Sequence, residues 1–196
     1  SQDMSDSFLK YLTSPRIKDL LDLVRFVGNL IEHPTKENTL ASIRNLLALN
    51  LISHFDVHGS GTLTDEGKMV NGLMKEGKID DYRMAKALMV SRYFRCEEVI
   101  VIIGAALSQV KGPVDGVFMK AFGSKKKDRE EAIRFFQHPY GDLFSLYRIV
   151  TKYSDASNRL NKYELNKWCK NHFLNEGVLR KIRSKAQEIS KKTWRK

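Results

Sequence analysis

The stretch EEVIVIIGAAL, residues 97–107, decides how this chain can fold. After two glutamates it holds nine residues without a charged or polar side chain. Its β-branched residues would suit a buried strand, but no second run of comparable strength lies nearby to pair with it. The pattern therefore favours a helix that is apolar all round, at the centre of a helical bundle. The run is too short to span a bilayer.

The sequence before this run predicts two helices and a β-hairpin. Apolar residues at helical spacing predict one helix over residues 14–32, beginning at a Ser-Pro pair, and a second over residues 35–50. The segment LISHFDVHGSGTLT, residues 51–64, is typical of a strand, a glycine-containing turn and a returning strand. This order predicts a winged-helix domain over residues 14–68. The chain opens with the polar, aperiodic stretch SQDMSDS, and residues 1–13 are predicted to be a disordered or cloning-derived lead.

The sequence after the hairpin, residues 69–196, predicts a helical bundle with a basic C-terminal helix. A loop rich in Gly and Lys, residues 109–127, follows the central run. The predicted fold class is therefore mainly α: a winged-helix domain, with helices and a β-hairpin, followed by a helical bundle. Trp168 and Cys169 fall on one apolar helical stripe, so both are expected to be structural.

The motif HPYGD, residues 138–142, allows a catalytic and a structural interpretation. His138 could act as a general base oriented by Asp142, but nothing in the sequence nominates a nucleophile. The structural interpretation is favoured: Pro139 ends one helix, Gly141 permits a turn, and Asp142 caps the next helix with its side chain.

Other catalytic and cofactor motifs are missing from the sequence. GSKKKD, residues 123–128, lacks the spacing of a phosphate-binding loop. The pairs Cys169 with His172 and His54 with His58 do not form a recognisable four-ligand pattern for zinc. No catalytic residue, metal site or cofactor is therefore predicted in this chain.

The charge distribution predicts a polyanionic partner. The chain has 34 Lys and Arg against 23 Asp and Glu, a net charge of +11. Residues 1–100 carry a net charge of −1 and residues 101–196 carry +12. Nucleic acid or an acidic membrane face would suit such a surface. Two distant cysteines without a visible secretory leader predict a reduced intracellular compartment, nuclear or cytoplasmic.

Several segments, in this order, resemble the C-terminal helicase-associated region of DEAH-box RNA helicases. They are LTDEGKMV, CEEVIVIIGAALS, KKKDREEAIRFFQHPYGDLFSLYRIV and NKWCKNHFLNEGVLRKIRSKAQEI; the preceding SPRIKDLLDLVRFV and TLASIRNLLALNLI are similar to the winged-helix part. The resemblance implies a winged helix followed by a ratchet-like helical bundle, both packed on RecA-like domains around a single-stranded RNA channel. It also implies that ATP and Mg²⁺ are bound by those motor domains, so that this chain alone is no enzyme.

This resemblance and the local charge together suggest candidate RNA contacts. Tyr140 is a candidate for stacking on a base, although a packing role is equally possible. The other candidates are polar or basic, and they are Ser108, Gln109, Lys111, Lys125, Lys126, Lys127, Arg180, Lys181, Arg183 and Lys185.

Two other functions remain open from the sequence. The chain could be a stand-alone winged-helix nucleic-acid binder that inserts residues 35–50 into a major groove. Only Lys36 and Arg44 are basic in that segment, which argues against it. Alternatively it could be a scaffold that docks a helicase cofactor, such as a G-patch activator, on the winged-helix surface. No membrane partner is expected.

Overall fold

The computed structural model shows a mainly helical protein that divides into two compact units, Ser1–Tyr93 and Phe94–Lys196. The predicted boundary between residues 68 and 69 separates a winged-helix domain from a helical bundle. This division by domain type stays a prediction. The structure describes residues 3–30, 34–54, 61–77, 79–110 and 114–193.

These residues form ten α-helices and one 3₁₀ turn at Val114–Val117. The first five helices are α1 (Ser5–Tyr11), α2 (Leu20–Gly28), α3 (Lys36–Ala48), α4 (Asp65–Gly77) and α5 (Tyr82–Phe94). The other five are α6 (Glu97–Gln109), α7 (Lys125–Phe136), α8 (Asp142–Arg159), α9 (Lys162–Asn171) and α10 (Glu176–Thr193).

Helix α1 corrects the prediction that residues 1–13 lie outside the fold. Phe8 and Leu9 are fully buried, and α1 packs against α3 and α4. The Asp6 carboxylate accepts a hydrogen bond from the backbone N–H of Tyr82 at 2.8 Å, which joins α1 to the start of α5. The helix has only seven residues, too few to show a hydrophobic period in the sequence.

The predicted start of α2 is also wrong, whereas the predicted start of α3 is confirmed. Helix α2 begins at Leu20, and the Asp19 side chain accepts a hydrogen bond from the backbone N–H of Asp22 at 2.8 Å. Asp19 therefore serves as the N-cap instead of the Ser-Pro pair five residues earlier. Helix α3 begins where the sequence predicts, and Thr35 is its N-cap because the Thr35 hydroxyl accepts from the backbone N–H of Asn38.

An isolated antiparallel bridge between Ile52 and Leu63 lies where the sequence predicts a β-hairpin. The backbone N–H of Ser53 donates to the carbonyl oxygen of Thr62 at 2.8 Å, so the two segments run side by side. The turn, residues 55–60, lies outside the described ranges. The described residues thus form a single paired bridge here, shorter than the predicted hairpin, and the winged helix stays a prediction.

Helix α4 approaches this bridge closely at Gly67. A Cβ atom added to Gly67 would lie 2.0 Å from the carbonyl oxygen of Leu51, so no side chain fits there. The Thr64 hydroxyl accepts a hydrogen bond from the backbone N–H of Gly67 and so caps the start of α4. The absence of a Cβ atom at Gly67 is therefore a packing requirement of the Ser1–Tyr93 unit.

We expect Gly67→Ala to lower the free energy of unfolding by about 1–3 kcal/mol or more, because the new methyl group overlaps a backbone oxygen. Gly72→Ala in the same helix is the matched control, since nothing lies within 4 Å of its Cβ position. The control should raise stability by about 0.5–1 kcal/mol through helix propensity. Urea unfolding followed by circular dichroism measures both. Equal effects of the two substitutions would contradict the close approach.

The Phe94–Lys196 unit is built around α6, as the sequence predicts. Helix α6 packs most extensively against α10 and then against α8. Val101, Ile103, Ala105 and Ala106 are buried. Leu107 is 42% exposed, so α6 is covered on most sides but not on all.

Two further local interactions, a β-bridge and a capping box, belong to this unit. An antiparallel bridge pairs Phe118 with Leu174, which ties the segment before α7 to the turn between α9 and α10. At the start of α9, Asn161 and Glu164 form a capping box in which each side chain accepts from the other residue's backbone N–H.

Candidate nucleic-acid interface

The lysine run at residues 125–127 lies in the first turn of α7, where the sequence indicates a loop. All three side chains are exposed. Within the ranges that the structure describes, none of the three forms an ion pair. Lysines at a helix N-terminus add to the positive end of the helix dipole, which is unfavourable for the helix itself. The local charge therefore contributes nothing to α7 and is available to an anionic partner.

The four basic candidates on α10 separate into an exposed pair and a structural pair. Arg180 and Lys181 are exposed. The Arg183 guanidinium donates hydrogen bonds to the Ser157 hydroxyl and, at 2.9 Å, to the Asn158 side-chain oxygen, so it joins α10 to α8. The Lys185 side chain is only 17% exposed and lies 3.7 Å from the Glu188 carboxylate.

We expect Arg183→Met to lower the free energy of unfolding by about 1–3 kcal/mol, because it removes charge-assisted hydrogen bonds between two helices. Lys181→Met makes the same charge change at an exposed position and should stay within about 0.5 kcal/mol of the parent chain. Urea unfolding of the two variants tests the assignment. Equal stabilities would show that Arg183 has no structural role.

The candidates at the end of α6 are exposed, but their polar groups are already used. Ser108 donates its hydroxyl proton to the carbonyl oxygen of Ala105 at 2.8 Å, and the Gln109 amide nitrogen donates to the Ser108 hydroxyl at 3.2 Å. Because these donors already bond within the end of α6, the side-chain carbonyl oxygen of Gln109 is the better contact for a partner. Lys111 lies outside the residues that the structure describes.

The HPYGD motif is a joint between α7 and α8, with one correction. Gly141 occupies the N-cap position with φ +99°, a conformation that glycine adopts without strain. Asp142 is instead the first helical residue, and no side-chain hydrogen bond caps α8. The predicted cap by Asp142 is therefore wrong; its charge still lies at the favourable, positive end of the helix dipole. Pro139 lies in the exposed turn between the helices.

The His138 side chain takes part in this joint. Its Nδ1 atom accepts a hydrogen bond from the backbone N–H of Tyr140 at 3.2 Å, and its ring stacks on Phe144 with centroids 5.4 Å apart. The backbone N–H of His138 donates to the Ser145 hydroxyl at 2.9 Å. These contacts are those of a turn between two helices.

Tyr140 is 79% exposed and belongs to a small aromatic cluster. Its ring centroid lies 5.3 Å from that of His138 and 6.0 Å from that of Phe144. The neighbouring rings restrict its orientation while most of its surface stays open. This arrangement is compatible with stacking on a base, since a ring that is already ordered loses less entropy on binding.

Trp168 and Cys169 lie on the inner side of α9. Cys169 is buried, and the Trp168 ring is half-buried with its centroid 4.6 Å from that of His172. Burial, and secondarily the charge of Glu176, raises the pKa of the Cys169 thiol to about 11. At neutral pH this thiol is therefore protonated and unreactive.

We expect iodoacetamide at pH 8 to modify Cys96, which is half-exposed, well before Cys169. With a thiol pKa of about 11, only about a thousandth of Cys169 is ionised at that pH. Peptide mass spectrometry over time measures both sites, and unfolding in urea is the control that should equalise them. Equal rates in the folded chain would contradict the buried position of Cys169.

Phe122 and Lys120 form a further exposed feature that the sequence analysis missed. Phe122 is 77% exposed, next to the lysine run, and Lys120 is also exposed. A phenylalanine inside a glycine- and lysine-rich segment without helical period could have pointed to it. The signal was weak because VFMKAF reads equally well as core sequence.

The described ranges offer neither a metal cluster nor a membrane-spanning helix. No group of three or more His, Cys, Asp or Glu residues there could hold a metal ion. None of the helices there is both long enough and apolar enough to cross a membrane.

No family model matches the chain, but it is similar to several curated proteins, among them two vertebrate relatives. The human protein named "Putative pre-mRNA-splicing factor ATP-dependent RNA helicase DHX32" is 27% identical over 172 residues, covering 84% of this chain and 21% of the relative. The Xenopus laevis protein of the same name is 24% identical over 162 residues, covering 82% of this chain and 20% of the relative.

The chain therefore spans about a fifth of the length of the curated relatives it matches. The resemblance to a region of an RNA helicase is confirmed in this general form. The identity of that region as a winged helix and ratchet-like bundle stays a prediction.

Proposed function

We propose that this chain is an RNA-binding accessory region of a DEAH-box RNA helicase, which helps to line the single-stranded RNA channel next to the RecA-like motor domains. The observation that carries the proposal is the exposed charge of the Phe94–Lys196 unit. Lys125, Lys126, Lys127, Arg180 and Lys181 are all exposed there. Similarity to proteins named as RNA helicases supports RNA as the polyanion.

Binding in this proposal is mainly electrostatic. Exposed lysines and arginines displace counterions from phosphates, and each contact with a single strand adds about −0.7 to the slope of log K against log salt concentration. Five contacts would give a slope of about −3.5. Tyr140 would add stacking on a base without sequence preference. ATP hydrolysis, with its ATP and Mg²⁺, would be left to the motor domains.

A second candidate function is cofactor docking on the Ser1–Tyr93 unit. Leu21 and Val24 are each more than 40% exposed on α2, and residues 1–100 have a net charge of −1. An apolar surface of this kind suits a peptide better than RNA. A G-patch type of activator would be such a partner, and docking it would be compatible with RNA binding by the other unit.

Insertion of α3 into a major groove is less well supported. The exposed positions of α3 include Leu40, Ala41 and Glu37, with Lys36 and Arg44 as the cations. A recognition helix normally presents several polar or basic side chains to base edges.

The test is fluorescence anisotropy of a labelled single-stranded RNA against the full chain at three salt concentrations, with duplex DNA alongside. The variant Arg180→Glu/Lys181→Glu should weaken RNA binding about tenfold or more, and it should make the salt slope about 1.4 units shallower because two phosphate contacts are lost.

The matched control is Lys36→Glu/Arg44→Glu, which makes the same charge change at two exposed positions of α3. It should change RNA affinity less than about twofold, since the contacts are local. Equal weakening by the two variants would mean that RNA affinity depends only on net charge, and it would contradict the proposed binding surface. Failure of the parent chain to bind RNA at low salt would overturn autonomous RNA binding, and preference for duplex DNA would favour the groove-binding alternative.

A further inference from the structure

Phe122 differs from Phe118, Phe135 and Phe136, the phenylalanines nearest to it in the sequence, in how its ring is used. Phe118 and Phe136 are buried, and the Phe135 ring packs edge-on against Phe136. Phe122 is 77% exposed, and within the described ranges no ring contact involves it. A single exposed apolar side chain is ordinary in a folded protein. The residues around Phe122 are what suggest a function for this exposed ring.

Phe122 lies at the wall of a cavity of about 320 Å³ between the end of the 3₁₀ turn and α7. This volume is at the lower end of the range for small-molecule sites, about 300–1,000 Å³, and suits a ligand the size of one nucleotide. Lys120 and Lys126 line the same cavity, and Glu130 is its acidic member besides Asp115.

The charges around the cavity leave an excess of cations for a ligand. The Arg129 guanidinium pairs with the Asp115 carboxylate, and its Nε atom also donates to the carbonyl oxygen of Met119 at 2.8 Å. The charge of Asp115, which is itself exposed, is therefore balanced by Arg129, and Glu130 is the acidic lining residue left against two lysines. Lys120 and Lys126 form no ion pair in the part of the chain that the structure describes, and both are exposed.

The backbone fixes Phe122 beside the lysines. Arg129 holds Met119, three residues before Phe122, against α7. Gly123 adopts φ +60°, which glycine tolerates, and so lets the chain turn directly between Phe122 and the start of α7. The ring is thus carried by a short segment anchored at both ends, which limits the entropy lost when a ligand binds.

We propose that Phe122 is a stacking platform for one base of a single-stranded RNA, with the adjoining phosphates on Lys120 and Lys126. The inference rests on the proposed RNA binding and gives that surface its aromatic contact. Aromatic rings combined with a basic groove are the usual means of holding single strands without sequence preference. An acidic peptide could use the lysines, but it would gain little from a flat, open ring.

The test compares a labelled oligouridylate with an abasic strand of the same length and charge, each titrated with the full chain. Phe122→Ala should weaken binding of the oligouridylate about fivefold or more, the lower limit for loss of one stacked base. It should leave binding of the abasic strand unchanged within twofold, about the error of the titration.

Phe122→Leu and Phe122→Trp separate stacking from apolar contact. Leucine keeps the bulk but has no aromatic face, so it should behave like alanine; tryptophan should restore or strengthen binding. Excess tryptophan fluorescence of the Phe122→Trp chain over the parent chain should be quenched by oligouridylate and not by the abasic strand. Circular dichroism checks that all three variants fold.

Four outcomes would overturn the inference. If the parent chain binds RNA and the Phe122 variants bind both strands as the parent does, the platform is wrong while the proposed function stands. If Phe122→Leu keeps full affinity, the ring serves as an apolar contact. If Phe122→Ala weakens binding of a polyglutamate peptide and not of RNA, the site docks an acidic protein segment. No RNA binding by the parent chain would remove the proposed function and this inference together.

Discussion

The packing of α6 against α10 and α8 is the contact on which the Phe94–Lys196 unit depends. Burying a side chain such as Ile103 is worth about 1.5–3 kcal/mol, and α6 contributes several such side chains. Helix α10 packs against α6, and its buried side chains include Leu179, Ile182 and Ile189. Because a helix has a fixed period, this choice of inward face also determines which basic residues of α10 point outward.

The same geometry divides the basic residues of α10 into exposed ones, which are available to a partner, and partly buried ones, which stabilise the fold. Arg180 and Lys181 lie beside the buried stripe on the open side, whereas Arg183 is turned toward α8 and bonds to two of its side chains. Counting basic residues along the sequence treats these positions as equivalent. Partial burial makes them different, because a half-buried guanidinium must have partners and an exposed one need not.

The sequence predicts those elements whose signal is long and periodic. Helix α6 could be predicted because nine uncharged residues follow two glutamates, and α3 because Thr35 precedes a clear period. Helix α1 has seven residues and is held by partners far along the chain, including Ser42 and Tyr82. Such tertiary hydrogen bonds leave no local trace in the sequence.

Asp142 and Phe122 illustrate why site residues are harder to predict than helices. An aspartate before an apolar helix suggests an N-cap, yet Gly141 takes that position because only its backbone readily adopts φ +99°. Phe122 reads as core in the sequence, and its exposure follows from the turn at Gly123 and from Arg129 holding Met119 against α7. In each case the backbone conformation of one neighbouring glycine decides the role: Gly141 for Asp142 and Gly123 for Phe122. If the chain binds RNA as proposed, exposed lysines together with rings fixed by such turns would hold a flexible strand mainly through its phosphates and with little sequence preference, as a translocating RNA would require.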